Sequence, residues 1–152
     1  MRTSDGQRID TREAKPSDQA FLKELHHAAY RDVVTRQFGA WVESDQDAWF
    51  EQKGSNGAAF SILEVDGNRV GAIGVQDAAD HVFLQELQVL PEFQNQGIGT
   101  AVLLAELERA TALGLPLRLR VLQQNRARQL YERHGFAVTG KTETHYLMEW
   151  KT

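Results

Sequence analysis

The 152-residue chain contains no cysteine. It therefore has no disulfide, no thiolate metal ligand and no cysteine nucleophile, and a covalent intermediate would need another residue. The sequence also lacks any run approaching the roughly 20 apolar residues of a membrane helix, and residues 1–6 lack the apolar core of a signal peptide. We therefore expect a cytoplasmic protein with no membrane partner and no metal site.

An excess of positive charge is lacking as well, since 17 basic residues stand against 21 acidic ones and the net charge is −4. This balance argues against a nucleic-acid partner bound over a broad basic face. Apolar residues make up 41% and charged residues 25%, which is typical of a globular protein. The length suits one core, so we predict a single domain over 1–152 in which 1–7 are flexible.

Apolar periodicity and turn residues predict an α/β chain in which strands alternate with helices. The turn Asp66-Gly67-Asn68 predicts a hairpin, and Asp18 or Ser17 is a candidate helix cap. The predicted elements are a strand over 8–14, a helix to about 36, a short helix from Ser44 or Asp45 that carries Trp49 and Phe50, strands over 58–65, 69–75 and 81–90, a helix over 97–113, a strand over 115–122, a short helix over 126–134 and a last β region over 136–150.

The strand over 81–90 is almost continuously apolar or β-tolerant, which is typical of the middle of a sheet. Simple alternation places Leu84, Glu86 and Gln88 on one face and the residues between them on the other. The connection from this strand through the next helix to the strand at 115–122 predicts a parallel, right-handed crossover.

Two glycines, Gly97 and Gly99, follow this strand where the next helix begins. Glycine lets a backbone approach a ligand closely, and the first N–H groups of a helix have no internal partner, so the stretch favours a phosphate. A dinucleotide fingerprint fails because Val102 occupies the place of its third glycine, and a Walker A loop fails because Thr100 follows without a lysine. A tight turn without a ligand is the alternative.

The segment Gln94-Asn95-Gln96-Gly97-Ile98-Gly99 resembles the (Gln/Arg)-x-x-Gly-x-(Gly/Ala) signature of the GNAT superfamily of acyl-CoA-dependent N-acyltransferases. Leu87, Val89 and Pro91 lead into it as in that family. A second block, 125–136, resembles the segment Asn-x-Ala-x-x-Leu-Tyr-x-x-x-Gly-Phe. The resemblance implies a three-layer α/β/α fold with a mixed, mostly antiparallel central sheet that is splayed between strands 4 and 5.

The resemblance further implies acetyl-CoA as the co-substrate. It implies that the backbone of 87–89 pairs with the pantetheine arm like an added strand, while N–H groups from 94–100 hold the pyrophosphate. The residues that it implies as cofactor-binding are Leu87, Gln88, Val89, Gln94, Asn95, Gln96, Gly97, Ile98, Gly99, Thr100, Asn125 and Arg128.

Acyl transfer to an amine needs a neutral amine, an oxyanion donor and a proton for the leaving thiolate. The resemblance places Tyr131 at the family's tyrosine position, and a phenol is a plausible acid toward a thiolate, with a core aromatic as the alternative. Glu86 is the candidate base, acting through a water, and an ion-paired or solvated strand carboxylate is the alternative. His134 and His145 are reserves, and a backbone N–H near 87–89 is the family's usual oxyanion donor.

The acceptor is the least specified part of the site. Arg120 stands near the place where some relatives carry a glutamate base, and it could hold a substrate carboxylate, with the polar face of a strand as the alternative. Tyr30, Phe38, Trp41 and Glu43 lie where relatives build the acceptor pocket, and Trp41 with Glu43 would suit a cationic amine. Ordinary packing of Phe38 and Trp41 is the alternative.

Together these features predict an N-acetyltransferase that moves an acetyl group from acetyl-CoA directly to a primary amine of a small molecule or peptide. A transferase for a longer acyl-CoA and a non-catalytic CoA-binding regulatory module are the alternatives. A strand exposed near the C-terminus suggests a homodimer.

Overall fold

A computed structural model of the chain describes residues 1–48 and 60–151. Its strands are β1 (Asp10–Glu13), β2 (Phe60–Val65), β3 (Asn68–Asp77), β4 (Val82–Val89), β5 (Leu117–Leu122), β6 (Ala137–Lys141) and β7 (His145–Trp150). Its helices are α1 (Gln19–Phe38), α2 (Ile98–Leu113) and α3 (Ala127–Arg133). Single 3-10 turns cover Pro16–Asp18 and Pro91–Phe93, and 43–48 are helical.

The seven strands form one open sheet in the order β1-β2-β3-β4-β5-β7-β6. Every neighbouring pair is antiparallel except β4 and β5, which run parallel on either side of the crossover through α2. The predicted mixed, mostly antiparallel sheet is confirmed. The last β region, predicted as one unit, is a hairpin whose second strand, β7, lies between β5 and β6.

Helices cover both faces of the sheet and give the predicted three layers. On one face Phe21, Leu22 and Leu25 of α1 pack against Ile62 and Ala72. A second and larger cluster on the other face joins the apolar sides of α2 and α3 to the sheet. Its members include Leu63, Val82, Leu84, Val102, Leu103, Leu107, Leu117, Leu119, Tyr131 and Met148.

The hairpin between β2 and β3 turns at Asp66 and Gly67, whose φ values are 52° and 78°. Two successive positive φ angles are those of the type I′ turn that suits the twist of a hairpin. The prediction made from Asp66-Gly67-Asn68 is therefore confirmed.

Asp18 anchors the start of α1, but not as the side-chain cap that the sequence predicts. Its carboxylate accepts the Lys15 backbone N–H at 2.8 Å, pairs with Arg12 at 2.7 and 2.9 Å, and accepts a bond from Arg69 at 3.2 Å. The side chain of Asp18 is buried. Hydrogen bonds from Arg12 and from the Lys15 N–H lower the pKa of Asp18 well below its ordinary value. The residue thus ties α1 to β1 and β3.

At the N-terminus, Arg2 and Arg8 form an isolated bridge and Thr3 is buried. The single domain and the flexibility of 1–7 stay predictions. The predicted helix from Ser44 or Asp45 corresponds to the helical residues 43–48, whereas Trp49 and Phe50 lie outside the described residues. No helix within 1–48 and 60–151 is long and apolar enough to cross a membrane.

Candidate active site

A cleft opens where β4 and β5 separate. The two strands pair only from Val82 to Leu84 on β4 and from Leu117 to Leu119 on β5. Beyond those positions β4 continues to Val89, with β3 as its neighbour on the other side. The predicted splay between strands 4 and 5 is thereby confirmed. The cleft measures about 730 Å³, which is the size of a small-molecule site.

A β-bulge in β4 decides which side of the cleft receives Glu86. Gly74 of β3 pairs with Glu86 while the next residue of β3 pairs with Leu84, so Gln85 is the extra residue. One extra residue shifts the alternation by one. Leu84 and Leu87 consequently both pack in the cluster under α2, and the prediction that Leu84 shares a face with Glu86 is wrong.

Glu86 instead faces α1, where two side chains hold it. The Tyr30 hydroxyl donates to Glu86 Oε2 at 2.7 Å, and the Gln88 amide donates to the same oxygen at 3.1 Å. Glu86 is 8% exposed, so its carboxylate is a buried polar group that needs hydrogen-bond donors such as these. Burial and the neighbouring Glu86 charge raise the pKa of Tyr30 well above its ordinary value, which keeps its phenol a donor.

Tyr131 approaches the cleft from the opposite face of the sheet. It lies on α3, is 8% exposed, and its ring packs edge-on against Phe136 at 5.5 Å between centroids. Its hydroxyl makes no hydrogen bond to any residue that the structure describes, and the side chain lines the cleft. Burial, and then the Glu86 charge, raise the pKa of Tyr131 above its ordinary value. The phenol therefore stays protonated and available to a bound molecule.

The glycine loop presents backbone N–H groups at the start of α2. Asn95 and Gly97 both have positive φ, at 63° and 83°. After Gln94, the first N–H with a backbone acceptor is that of Ala101, which bonds to the Gly97 carbonyl at 3.0 Å. Between 95 and 100, no N–H donates to a described acceptor. Such a row of N–H groups at a helix start is an anion-binding concavity.

Space for a ligand exists at this loop. A Cβ built on Gly99 would meet no heavy atom of the described residues within 4 Å. Gln94 differs from its neighbours, because its N–H bonds to the Pro91 carbonyl at 3.2 Å and its side-chain amide bonds to the Val89 carbonyl at 2.9 Å. Gln94 thus shapes the loop, and a direct contact of Gln94 with a cofactor stays a prediction.

The two residues of the second predicted cofactor block, Asn125 and Arg128, differ in their position relative to the cleft. Asn125 lines the cleft, and its Oδ1 accepts the Ala127 N–H at 2.9 Å, which fixes the start of α3. Arg128 does not line the cleft, because its guanidinium pairs with Glu132 and lies 4.3 Å from the centroid of the Tyr146 ring. A contact of Arg128 with the cofactor stays a prediction.

The predicted acceptor residues also separate into two groups. Tyr30, Phe38 and Arg120 line the cleft. Trp41 and Glu43 follow α1 and contact His27 of that helix instead. His27 Nδ1 is 3.4 Å from Glu43, and the Trp41 ring lies 5.3 Å from the His27 ring. Neither residue is part of the cleft lining.

Of the two reserve histidines, His145 lines the cleft, whereas His134 bonds to the Leu130 carbonyl at 2.8 Å. Sequence reasoning missed several further lining residues. The position of His26, one helical turn before Tyr30, could have been predicted from that spacing. Asp45 and Gln46 belong to the helical residues 43–48, and nothing in the sequence beyond their charge or polarity indicated that they line the cleft. The lining residues that sequence reasoning missed include His26, Asp45, Gln46 and Phe83.

Solved structures share this architecture. The PaiA N-acetyltransferase of Thermoplasma acidophilum, in complex with coenzyme A, superposes with a TM-score of 0.78 at 23% identity, over 95% of this chain and 99% of that chain. An acetyltransferase of Thermus thermophilus gives 0.69 at 18%, over 93% and 95%. The ribosomal-protein-S18-alanine N-acetyltransferase of Escherichia coli gives 0.68 at 21%, over 94% and 93%. At such identities the likeness shows the fold.

A search among curated protein sequences gives no significant match. The family model described as an acetyltransferase (GNAT) domain matches residues 56–138, more than half of the chain, and this segment holds Glu86, the glycine loop and Tyr131. The chain belongs to the GNAT family of acetyltransferases.

Proposed function

We propose that the protein transfers an acetyl group from acetyl-CoA directly to a primary amine of a small molecule or peptide, with donor and acceptor entering the cleft from opposite faces of the sheet. The observation that carries this proposal is the convergence of Tyr131, from the α3 side, and Glu86, from the α1 side, on one cleft where β4 and β5 part. A cytoplasmic location and a homodimer remain predictions from the sequence.

Acetyl-CoA fits the α2 face on three grounds. The N–H groups of 95–100 suit a pyrophosphate, because they point from a helix start and have no described acceptor. Among the described residues no strand pairs with the β5-facing edge of 87–89, so this edge can pair with the pantetheine arm as a strand would. Asn125 lines the cleft together with Leu87. A neighbour of the same fold is in complex with coenzyme A.

In the reaction, the amine nitrogen attacks the thioester carbonyl while the carbon–sulfur bond breaks. Glu86, directly or through one water, accepts the proton that the amine must lose, and a backbone N–H of 87–89 stabilises the developing oxyanion. Tyr131 donates its phenolic proton to the departing thiolate. The products are the N-acetylated amine and coenzyme A. Glu86 then releases its proton to solvent, and the Tyr131 phenolate regains one from solvent.

Tyr30 has a second role in this proposal, and its contact with the acceptor stays a prediction. Its hydroxyl is engaged at 2.7 Å by Glu86, so it serves as a positioning residue that orients the carboxylate together with Gln88. Two donors to one oxygen also hold the other Glu86 oxygen in a defined direction. Such support from surrounding hydrogen bonds is what keeps a catalytic group in productive geometry.

The direct test is a thiol-release assay of acetyl-CoA against amines, amino acids and peptides, with mass spectrometry of the acetylated products. Glu86→Gln should lower kcat about 100-fold or more with the best acceptor, because the proton acceptor is lost. Glu108→Gln is the control, since Glu108 is an exposed carboxylate on α2. Tight binding of acetyl-CoA by calorimetry, without thiol release for any amine, would contradict the proposal and favour a binding module.

A further inference from the structure

Arg118 and Arg120 lie two residues apart on β5 but have different surroundings. Arg118 Nε lies 2.6 Å from the Glu149 carboxylate on the adjacent strand β7. Arg120 stands opposite Leu147 and forms no ion pair with any carboxylate that the structure describes. Its guanidinium lies 5.9 Å from the centroid of the Phe83 ring and lines the cleft.

The strand geometry places Arg120 on the same side of the sheet as Glu86. Leu119 packs in the cluster under α2. Because neighbouring residues of a strand alternate, Arg120 faces the α1 side. The bulge at Gln85 turns Glu86 to that side as well, where Tyr30 of α1 bonds to it. Each of the two charged residues follows the last paired position, Leu84 with Leu119, by one or two residues.

The acceptor side of the cleft therefore carries charge of both signs. Glu86 and the exposed Asp45 contribute carboxylates, and Arg120 contributes a guanidinium. Asp45 comes from the helical residues 43–48, so it approaches from the α1 layer. A molecule with only an amine would meet the carboxylates and leave the guanidinium in water. A molecule with an amine and a carboxylate would satisfy both.

We propose that the acceptor is an aminocarboxylate, an amino acid or a compound like it, whose carboxylate pairs with Arg120 while its amine faces Glu86. This inference rests on the acetyltransferase function proposed above. An Arg fork matches a carboxylate with two parallel hydrogen bonds, which fixes the orientation of the acceptor as well as its affinity. The Phe83 ring lies 5.9 Å from the guanidinium, within reach of a cation–π contact that favours the cleft-facing position of Arg120.

The test compares acceptors that differ only in the carboxylate. A panel of amino acids is assayed by thiol release beside the matching carboxamides, the matching decarboxylated amines, and dipeptides in which the carboxylate is one residue further from the amine. The best amino acid should exceed its amide and its decarboxylated amine in kcat/KM by about tenfold or more. The dipeptide arm separates a free amino acid from a peptide N-terminus.

Variants then assign the preference to Arg120. Arg120→Gln should lower kcat/KM for the amino acid about tenfold or more while leaving the amide within about twofold and the KM of acetyl-CoA unchanged. Arg120→Lys should restore part of the preference, since a lysine supplies charge without the fork. Arg118→Gln is the matched control, because it removes the same charge from the same strand and face outside the cleft.

Three results would overturn the inference. Equal or better turnover of the amide or the decarboxylated amine by the wild type would refute it and leave the acetyltransferase proposal intact. An unchanged acid-to-amide ratio in Arg120→Gln would refute the role of Arg120 alone. If no amine of the panel supports thiol release, both proposals are refuted together.

Discussion

The two sides of the cleft are built from different parts of the chain. The donor side presents backbone N–H groups of 95–100 and the open edge of β4. The acceptor side presents side chains, chiefly Tyr30, Glu86 and Arg120, which come from α1, β4 and β5. In the proposed function, backbone groups hold acetyl-CoA and side chains hold the acceptor. A substitution changes a side chain and leaves the backbone N–H in place, so we expect substitutions to alter acceptor recognition more than donor recognition.

The largest effect is expected at Tyr131, where the two sides meet. Tyr131→Phe should lower kcat about 100-fold to 10,000-fold, the usual contribution of a positioned general acid. The KM values of acetyl-CoA and of the acceptor should stay within about twofold, because the phenol acts on the leaving thiolate. Steady-state thiol release checks this, and a kcat like that of the wild type would remove Tyr131 from the mechanism.

The pH dependence of kcat tests the role of Tyr131 in a second way. Burial and the Glu86 charge raise the pKa of Tyr131 above its ordinary value of 10.0. The acid form therefore persists at alkaline pH, and kcat should not fall between about pH 8 and 10 through loss of this proton. An alkaline decrease centred below pH 10 that disappears in Tyr131→Phe would contradict the assignment of a raised pKa.

The ion pairs of Asp18, which is buried, and of Asp77, which is exposed, should contribute differently to the free energy of unfolding. Asp18→Asn removes a buried carboxylate that ties α1 to the sheet, while its partners Arg12 and Arg69 stay 31% and 42% exposed, so it should lower the free energy of unfolding by about 1–3 kcal/mol. Asp77→Asn is the matched control, because Asp77 also holds an arginine, Arg109, at 2.8 Å, but with 53% of its side chain exposed. The control should lose about 1 kcal/mol or less.

Acid titration gives the sign of the Asp18 contribution. The pKa of Asp18 is lowered in the folded protein, so its stabilisation is present above the unfolded value of about 3.9 and is lost as the pH falls toward the folded value. Urea midpoints should therefore fall below about pH 4 more steeply in the wild type than in Asp18→Asn. Parallel curves for the two proteins would contradict the buried pair.

A smaller effect is expected at Tyr30. Tyr30→Phe removes the Tyr30 hydroxyl that donates to Glu86 and should lower kcat/KM about tenfold with no change in the KM of acetyl-CoA. In a Glu86→Gln background the same change should cost little more, since Tyr30 acts through Glu86. If the two fold-losses in kcat/KM multiply in the double variant, Tyr30 instead contacts the acceptor directly. Tyr146→Phe, whose ring lies under Arg128, is the hydroxyl control.

The difference between the two sides also sets what the sequence could predict. The glycine loop was predictable because its conformation depends on neighbours in the chain, with Gly97 at a positive φ and a helix directly after it. The contact of Tyr30 with Glu86 joins residues 56 apart, and its face depends on a bulge at Gln85 that no local pattern marks. Simple alternation therefore gave Glu86 the wrong face relative to Leu84.

The same reasoning explains the predicted residues that lie elsewhere. Trp41 follows α1 closely in sequence, as an acceptor residue would, but its ring packs between His27 and Arg31. Arg128 belongs to the predicted cofactor block, yet Glu132 lies one helical turn further on and pairs with it. Both outcomes depend on which partner a long side chain meets, and a motif does not encode that choice.

The smallest predicted effect lies on the donor side, at Gly99 near the start of α2. A Cβ there meets no described atom within 4 Å, so Gly99→Ala should raise the free energy of unfolding by up to about 1 kcal/mol through the better helix propensity of alanine. Because the Cα–Cβ bonds of a helix tilt toward its N-terminus, we expect the added methyl group to lie near the N–H groups of 95–100 and to weaken acetyl-CoA binding about threefold to tenfold.

Denaturant unfolding and calorimetry with acetyl-CoA measure the two changes for Gly99→Ala on the same sample. Gly140→Ala is the control, since a Cβ there makes only an ordinary 3.5 Å contact with Leu147 on the far edge of the sheet. Unchanged donor affinity in Gly99→Ala would place the pyrophosphate elsewhere. Stability and donor affinity that move in opposite directions would show that the glycine at this position serves the ligand and not the fold.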